Sequence, residues 1–262
     1  MSSLENELRA AREAALAAGE ILRRHWRDHE YKIDSKGHNN PVTTADFEAD
    51  DALKTSLRGQ FPHYGWLSEE TADDGDRLKR ERVWIVDPLD GTKEFIKGVP
   101  EFVVAIALAE AGVPVLGVTY NPIKEELFWA ARGMGCHMDG RPVHVTTTRT
   151  LDHASVLASR SETSRGEWRG YEGKIVVRPI GSVAYKLALV AAGKADATFT
   201  LTPKSEWDVA SGVALIIEAG GRVNELGGEE LRFNKPSVKL TGFVATNGLL
   251  HDAIEAMLPK SR

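Results

Sequence analysis

A short strand that ends in two carboxylates constrains this chain more than any other feature. Val83-Trp84-Ile85-Val86 is an apolar, partly β-branched run that reads as a buried strand, and Asp87-Pro88-Leu89-Asp90-Gly91-Thr92 follows at once. The spacing predicts that the strand stops at Asp87-Pro88 and that a short helix runs over 92–97. Like charges placed so close at the end of a buried strand repel and lose hydration, which is costly unless a cation compensates. Magnesium suits the site, because it is a hard ion that takes carboxylate oxygens, waters and a substrate phosphate. Gly91 and the amides after it would present N–H groups at a helix start, a setting that favours phosphate, and Thr92 adds a hydroxyl. Taken alone, the aspartates fit a turn and helix N-cap equally well.

Other acids stand at predicted element edges. Glu69 lies in Ser68-Glu69-Glu70, Asp208 follows Trp207 at the start of an otherwise apolar helix, and Asp46 follows the capping pair Thr43-Thr44. Singly, each is an ordinary loop or first-turn acid. His25 and His29 have zinc-like spacing but no evident third ligand. Cys136 falls among Gly133, Met134, Gly135 and Met138 in a predicted loop and reads as structural. Asp73-Asp74-Gly75-Asp76 reads as a solvated loop.

The remaining organisation is mixed. Leu4, Leu8, Ala11, Ala15, Ala18 and Leu22 predict an amphipathic opening helix. Three strands, over 102–108, 113–120 and 126–130, predict an antiparallel meander. Beyond Val145, strands over 155–158, 175–177 and 243–246 alternate with helices over 183–192, 208–219 and 249–258. The expectation is therefore an α+β half over 1–145 carrying the metal site and an α/β half over 146–262 completing it, with no linker that implies independent folding. Charges of both signs and a net charge of -5 argue against a nucleic-acid surface. A single cysteine excludes an internal disulfide, the start Met1-Ser2-Ser3-Leu4-Glu5 lacks a signal-peptide pattern, and no apolar run suits a membrane span. A cytoplasmic protein is expected.

Together the motifs resemble the inositol-monophosphatase superfamily of magnesium-dependent phosphatases. Asp87-Pro88-Leu89-Asp90-Gly91-Thr92 is similar to its D-P-x-D-G-T hallmark, and Trp207-Asp208-Val209-Ala210-Ser211-Gly212 to its W-D-x-A-x-G. Glu69-Glu70 and Val42-Thr43-Thr44-Ala45-Asp46 occupy the family's remaining motifs in the same order. The resemblance implies a layered αβαβα sandwich of the sugar-phosphatase type and a homodimer. It implies two or three magnesium ions held by Glu69, Asp87, Asp90, Asp208 and the Leu89 carbonyl. It further implies a water oriented by Thr92, whose hydroxyl is linked to Asp46 and Glu69, and a phosphate held by the amides of Gly91 and Thr92. Asp90, Asp208 and the turn Gly181-Ser182-Val183 would face a small phosphorylated substrate.

Lys93-Glu94-Phe95 and Ala158-Ser159-Arg160-Ser161 resemble the 3'(2'),5'-bisphosphate nucleotidase branch. The stretch Thr200-Leu201-Thr202-Pro203-Lys204 lacks the acid with which inositol enzymes contact ring hydroxyls. Arg160 and Lys204 would suit a second phosphate. The expected reaction is hydrolysis of 3'-phosphoadenosine 5'-phosphate. The alternatives are an inositol-1-phosphate or sugar-phosphate phosphatase, and a non-catalytic binding protein on the same fold. Lys36 falls at the position of a family metal-site flap.

Overall fold

The computed structural model describes residues 4–37 and 40–259. Met1-Ser2-Ser3 and, within the Lys36 loop, His38-Asn39 lie outside them.

Helix α1 (Glu5–Asp28) buries Leu8, Ala11, Ala15, Ala18 and Leu22 along one face, as the periodicity predicts. A two-stranded ribbon, β1 (Ile33–Ser35) and β2 (Pro41–Thr43), leads into α2 (Thr44–Gln60). The entry to α2 is a capping box: Ala45 N–H donates to Thr43 Oγ1 at 3.2 Å, and Thr43 N–H donates to Asp46 Oδ2 at 2.8 Å.

The next strands form one sheet in chain order: β3 (Gly65–Ser68), β4 (Arg82–Asp90), β5 (Val103–Glu110), β6 (Val113–Asn121), β7 (Glu126–Ala131), β8 (Gly135–Met138) and β9 (Arg141–Val143). Only β3 and β4 pair in parallel. The short helix α3 (Thr92–Ile96) joins β4 to β5. The expected meander is present as β5 to β7, but it continues. Cys136 lies in β8 opposite Ala130 and is buried, not in a loop, because Gly133 and Gly135 at positive φ turn the chain back onto the sheet.

The second half supplies β10 (Ser155–Ser159), α4 (Arg160–Ser164), β11 (Val176–Ile180), α5 (Val183–Ala191), β12 (Ala197–Thr200), β13 (Lys204–Ser205), α6 (Glu206–Glu218), β14 (Arg222–Glu225), β15 (Lys239–Leu240), β16 (Phe243–Thr246) and α7 (His251–Met257). Its main sheet has the order β11-β10-β12-β16-β14, and β13 pairs with β15 separately.

Strand periodicity builds the layers. Along β5, Val104, Ile106 and Leu108 pack into a core with α1 and α2, while Val103, Ala105, Ala107 and Ala109 pack against α5 and α6. Along β10, Leu157 joins that central core, and Val156 and Ala158 point outward to Trp168, Leu250 and Ile254. The result is the expected αβαβα sandwich: α1 and α2, the larger sheet, α5 and α6, the smaller sheet, and an outer layer containing α7. Because both faces of β4 and β5 are covered, those strands read as continuous apolar runs without polar alternation.

Candidate active site

The strand β4 does not stop at Asp87-Pro88; it runs on to Asp90. Asp87 pairs with Ala105 and Asp90 with Val103, so one extra residue is accommodated on β4 between them. That bulge absorbs Pro88, which has no N–H to give the ladder. It also changes the geometry. Residues three apart on a regular strand point to opposite faces, whereas the bulge turns Asp87 and Asp90 toward the same layer, that of α5 and α6.

Other elements bring further acids to this point. Glu69 follows β3, and its N–H donates to the Val86 carbonyl at 3.2 Å. Asp208 sits in the first turn of α6, where Ser205 N–H donates to its Oδ2 at 2.8 Å. Carboxylate oxygens of Glu69, Asp87 and Asp208 all lie within 4.8 Å of one another. Asp90 is held alongside: Ser182 Oγ and Ala184 N–H donate to its Oδ2 at 2.7 and 2.6 Å. Thr92 Oγ1 donates to Asp46 Oδ1 at 3.1 Å, and the Leu89 carbonyl, 3.3 Å from the same hydroxyl, is its alternative acceptor. The expected link from Thr92 to Glu69 is not among the hydrogen bonds of the described residues.

The electrostatics favour a cation at neutral pH. Burial, followed by the charges of Glu69, Asp90 and Asp208, pushes the Asp87 carboxyl well above its usual range. Burial and the charges of Asp90 and Glu69 push Asp208 up to about 7. Asp87 Oδ1 accepts the Leu89 N–H, but its buried Oδ2 has no hydrogen-bond partner among the described residues. An all-oxygen set with an orphaned buried carboxylate oxygen fits a hard divalent ion. Lys36 Nζ lies 3.1 Å from Glu69 Oε1 and 2.5 Å from Glu70 Oε1, so it brings one positive charge beside the acids.

Glu69, Asp90 and Asp208 line a polar cleft of about 270 Å³, with Gly91, Thr92, Gly181, Ser182, Val183 and Lys204 on its walls. Gly91 is obligatory at φ 106, because a Cβ there would come 2.9 Å from the Glu101 carbonyl. A larger apolar groove of about 590 Å³, near Leu226 and Leu258, contains none of the clustered acids.

The cations differ from expectation. Arg160 is not on the cleft lining; its Nε and Nη2 donate to Glu101 at 2.6 and 2.7 Å. Lys204 reaches the cleft, but Nζ also contacts Thr202 Oγ1 at 3.1 Å and Glu162 Oε1 at 3.4 Å. An acid therefore does stand beside the 200–204 stretch, delivered by α4 and not by local sequence. Lys186 was missed. It is 4% exposed, lines the cleft, and Nζ donates to the Ser182 carbonyl at 2.7 Å. Burial brings its ammonium down to about 8, against the pull of Asp90. A lone lysine inside the apolar helix segment Val183–Ala191 was the available signal.

The profile of the inositol monophosphatase family matches residues 3–261. The chain belongs to the inositol monophosphatase family. It is accordingly a metal-dependent phosphoric monoester hydrolase. The inositol-1-monophosphatase of Mesorhizobium japonicum is 37% identical over 91% of this chain and 92% of its own length. The solved extragenic suppressor protein suhB of Bartonella henselae superposes with a TM-score of 0.85 at 32% identity, covering 98% of this chain and 100% of its own. CysQ of Bacteroides thetaiotaomicron, a bacterial member of the inositol monophosphatase family, superposes with a TM-score of 0.76 at 34% identity over 93% of this chain and 97% of its own. Family members share the layered architecture described above. No helix among the described residues is long and apolar enough to cross a membrane.

Proposed function

We propose that this family member uses two or three magnesium ions, held by Glu69, Asp87, Asp90, Asp208 and the Leu89 carbonyl, to convert 3'-phosphoadenosine 5'-phosphate to AMP and phosphate. When bound, magnesium supplies positive charge against the phosphoryl and leaving oxygens and raises the acidity of water. The chain's own residues position the reactants. Thr92 Oγ1 donates its proton to Asp46 Oδ1, which leaves its lone pairs to accept from, and so orient, the attacking water. Asp46 is fixed in turn by the Thr43 amide and hydroxyl, at 2.8 and 2.7 Å. The N–H groups of Gly91 and Thr92 hold phosphate oxygens. Water oxygen bonds to phosphorus, the ester P–O bond breaks, and a proton from that water ends on the released alcohol.

Lys186 carries the choice of substrate. A buried ammonium has three N–H donors, and among the described residues this one has a single hydrogen-bond acceptor, the Ser182 carbonyl, on the wall of a cleft that also carries Glu69, Asp90 and Asp208. An anionic group beyond the scissile phosphate would satisfy it, with Lys204 adjacent. Lys93-Glu94-Phe95 supports the same branch. The inositol-1-phosphate or sugar-phosphate reading is favoured by the names of the relatives and by Glu162, whose carboxylate stands behind Thr200 and Thr202. A homodimer in the cytoplasm goes with either reading; sedimentation and cell fractionation test it.

Phosphate release measured in parallel from 3'-phosphoadenosine 5'-phosphate, inositol 1-phosphate, fructose 1,6-bisphosphate and AMP separates the substrates. A preference of about tenfold for the first, or about 1.4 kcal/mol in transition-state binding, is expected, with the activity lost in Asp90→Asn. Equal rates on all would remove the nucleotide assignment and leave the phosphatase.

A further inference from the structure

The turn that holds Asp90 is itself held by two residues that the chemistry does not touch. Ser182 donates its hydroxyl to Asp90 and accepts the Tyr185 N–H at 3.0 Å. It does so at φ 60 and ψ 133, a backbone conformation that residues with a side chain avoid. Such a turn persists only where its surroundings impose it.

Glu101 stands behind the turn and is 8% exposed. Its Oε2 accepts the Gly181 N–H at 2.7 Å. Its two oxygens also take the fork of Arg160, Nε to Oε2 at 2.6 Å and Nη2 to Oε1 at 2.7 Å, a bidentate geometry that fixes both partners. Burial alone would raise the Glu101 carboxyl, but Arg160 and the Gly181 N–H outweigh it and hold the carboxyl below its usual range. Gly181 leaves no room for slack: a Cβ there would collide with the Glu94 side chain and come 3.0 Å from the Glu101 carbonyl. Glu101 precedes β5 and Arg160 opens α4, so the pair bridges the two sheets beside the cleft.

We propose that Arg160 and Glu101 form a clamp that fixes the Gly181-Ser182 turn and, through it, the Asp90 carboxylate. Arg160 is then a positioning residue and not a ligand of the substrate. The clamp rests on the reading of Asp90 as a metal ligand given above.

The test compares Arg160→Ala, Arg160→Lys, Glu101→Ala, the Arg160→Ala/Glu101→Ala double variant and Asp90→Asn. Kinetics are read on p-nitrophenyl phosphate and on 3'-phosphoadenosine 5'-phosphate, and Mn²⁺ affinity is read by titration calorimetry without substrate. Loss of a group that orients a metal ligand weakens the metal by about 10–100-fold, so Arg160→Ala and Glu101→Ala should each weaken Mn²⁺ and lower kcat on both substrates by about tenfold, with KM little changed. The double variant should be no worse than either single one, because both act through one contact. Arg160→Lys should recover part of the loss, and it keeps the question answerable if the alanine variants fold poorly. A rise in KM confined to the bisphosphate, with Mn²⁺ affinity and monophosphate turnover unchanged, would show Arg160 to be a substrate ligand and overturn the clamp. Unchanged Mn²⁺ affinity in Arg160→Ala, with Asp90→Asn defective, overturns the clamp alone. Unchanged affinity in Asp90→Asn overturns the ligand reading beneath it, and the clamp with it.

Discussion

Thr92 and Lys186 show how differently two polar residues can be used in one cleft. Thr92 Oγ1 has its proton committed to Asp46 Oδ1. Thr92→Val keeps the shape and removes the lone pairs, so kcat should fall by about 10²-fold while KM stays within a few-fold. A rise in KM accounting for the whole loss would mean that Thr92 only binds. Lys186 is costly to the fold. Its ammonium is lowered from 10.5 to about 8 by burial, and at about 1.4 kcal/mol per unit this is a penalty of ~3 kcal/mol near neutral pH. Between pH 8 and 10.5 the unfolded chain keeps a proton that the folded chain has released, so stability from this group rises with pH. Lys186→Met should therefore raise the melting temperature at pH 7, lose that advantage toward pH 10, and weaken binding of the bisphosphate. A variant less stable than the parent at pH 7 would contradict the assignment of Lys186 as a buried, undercompensated charge.

At the scale of elements, the site is a junction between the end of β4 and the starts of α5 and α6. Close packing sets its dimensions: a Cβ on Gly117 of β6 would collide with the Ser211 carbonyl of α6, and one on Gly212 of α6 would collide with Leu187 of α5. Helix α6 thus lies against the sheet, and α5 against α6, at distances that only glycine permits, and Asp208 is delivered to Asp87. Without metal, the converging carboxylates oppose folding once ionised. Asp208 is raised from 3.8 to about 7, so the folded state binds its proton more tightly than the unfolded chain does. That contribution is fully present below about pH 4 and is lost as pH rises through about 7. Magnesium, which takes the deprotonated form, replaces it. Scanning fluorimetry from pH 5 to 8 should show the magnesium-induced rise in melting temperature growing with pH. A rise that is flat or shrinks with pH would remove these acids from the metal site.

Across the whole molecule, a continuous core joins the two sheets. Leu67, Ile85 and Phe128 of the larger sheet share one cluster with Leu157, Phe243 and Ala245 of the smaller through α5 and α6. Arg77 adds a polar tie. It is 2% exposed, and it donates to Asp73 Oδ2 at 3.0 and 2.8 Å, to Asn234 Oδ1 at 2.8 Å and to the Lys235 carbonyl at 3.1 Å. The Asp73-Asp74-Gly75-Asp76 run is thus a structural anchor as well as a loop. Arg77→Ala would leave several acceptors without their donor and should cost on the order of 3 kcal/mol in denaturant unfolding, with one transition retained. A loss below about 1 kcal/mol would mean that the tie does not couple the halves.

Much of this protein was determined by local sequence. Capping residues, the apolar periodicity of α1 and the β-branched runs of β4, β5 and β6 fix elements through contacts between near neighbours, and the ordered acidic motifs are themselves contiguous stretches. What the tertiary structure decided depends on residues far apart in the chain. The bulge that turns Asp87 and Asp90 to one face arises from pairing with β5, not from Pro88 alone. Arg160 looked like a free cation until Glu101, 59 residues away, was placed against it. Glu162 reached the 200–204 stretch from α4, and Lys186, hidden in an apolar helix, reached the cleft. Charges act through space over several ångströms, so the sequence could name the groups, but only the packed fold could say which of them face one another.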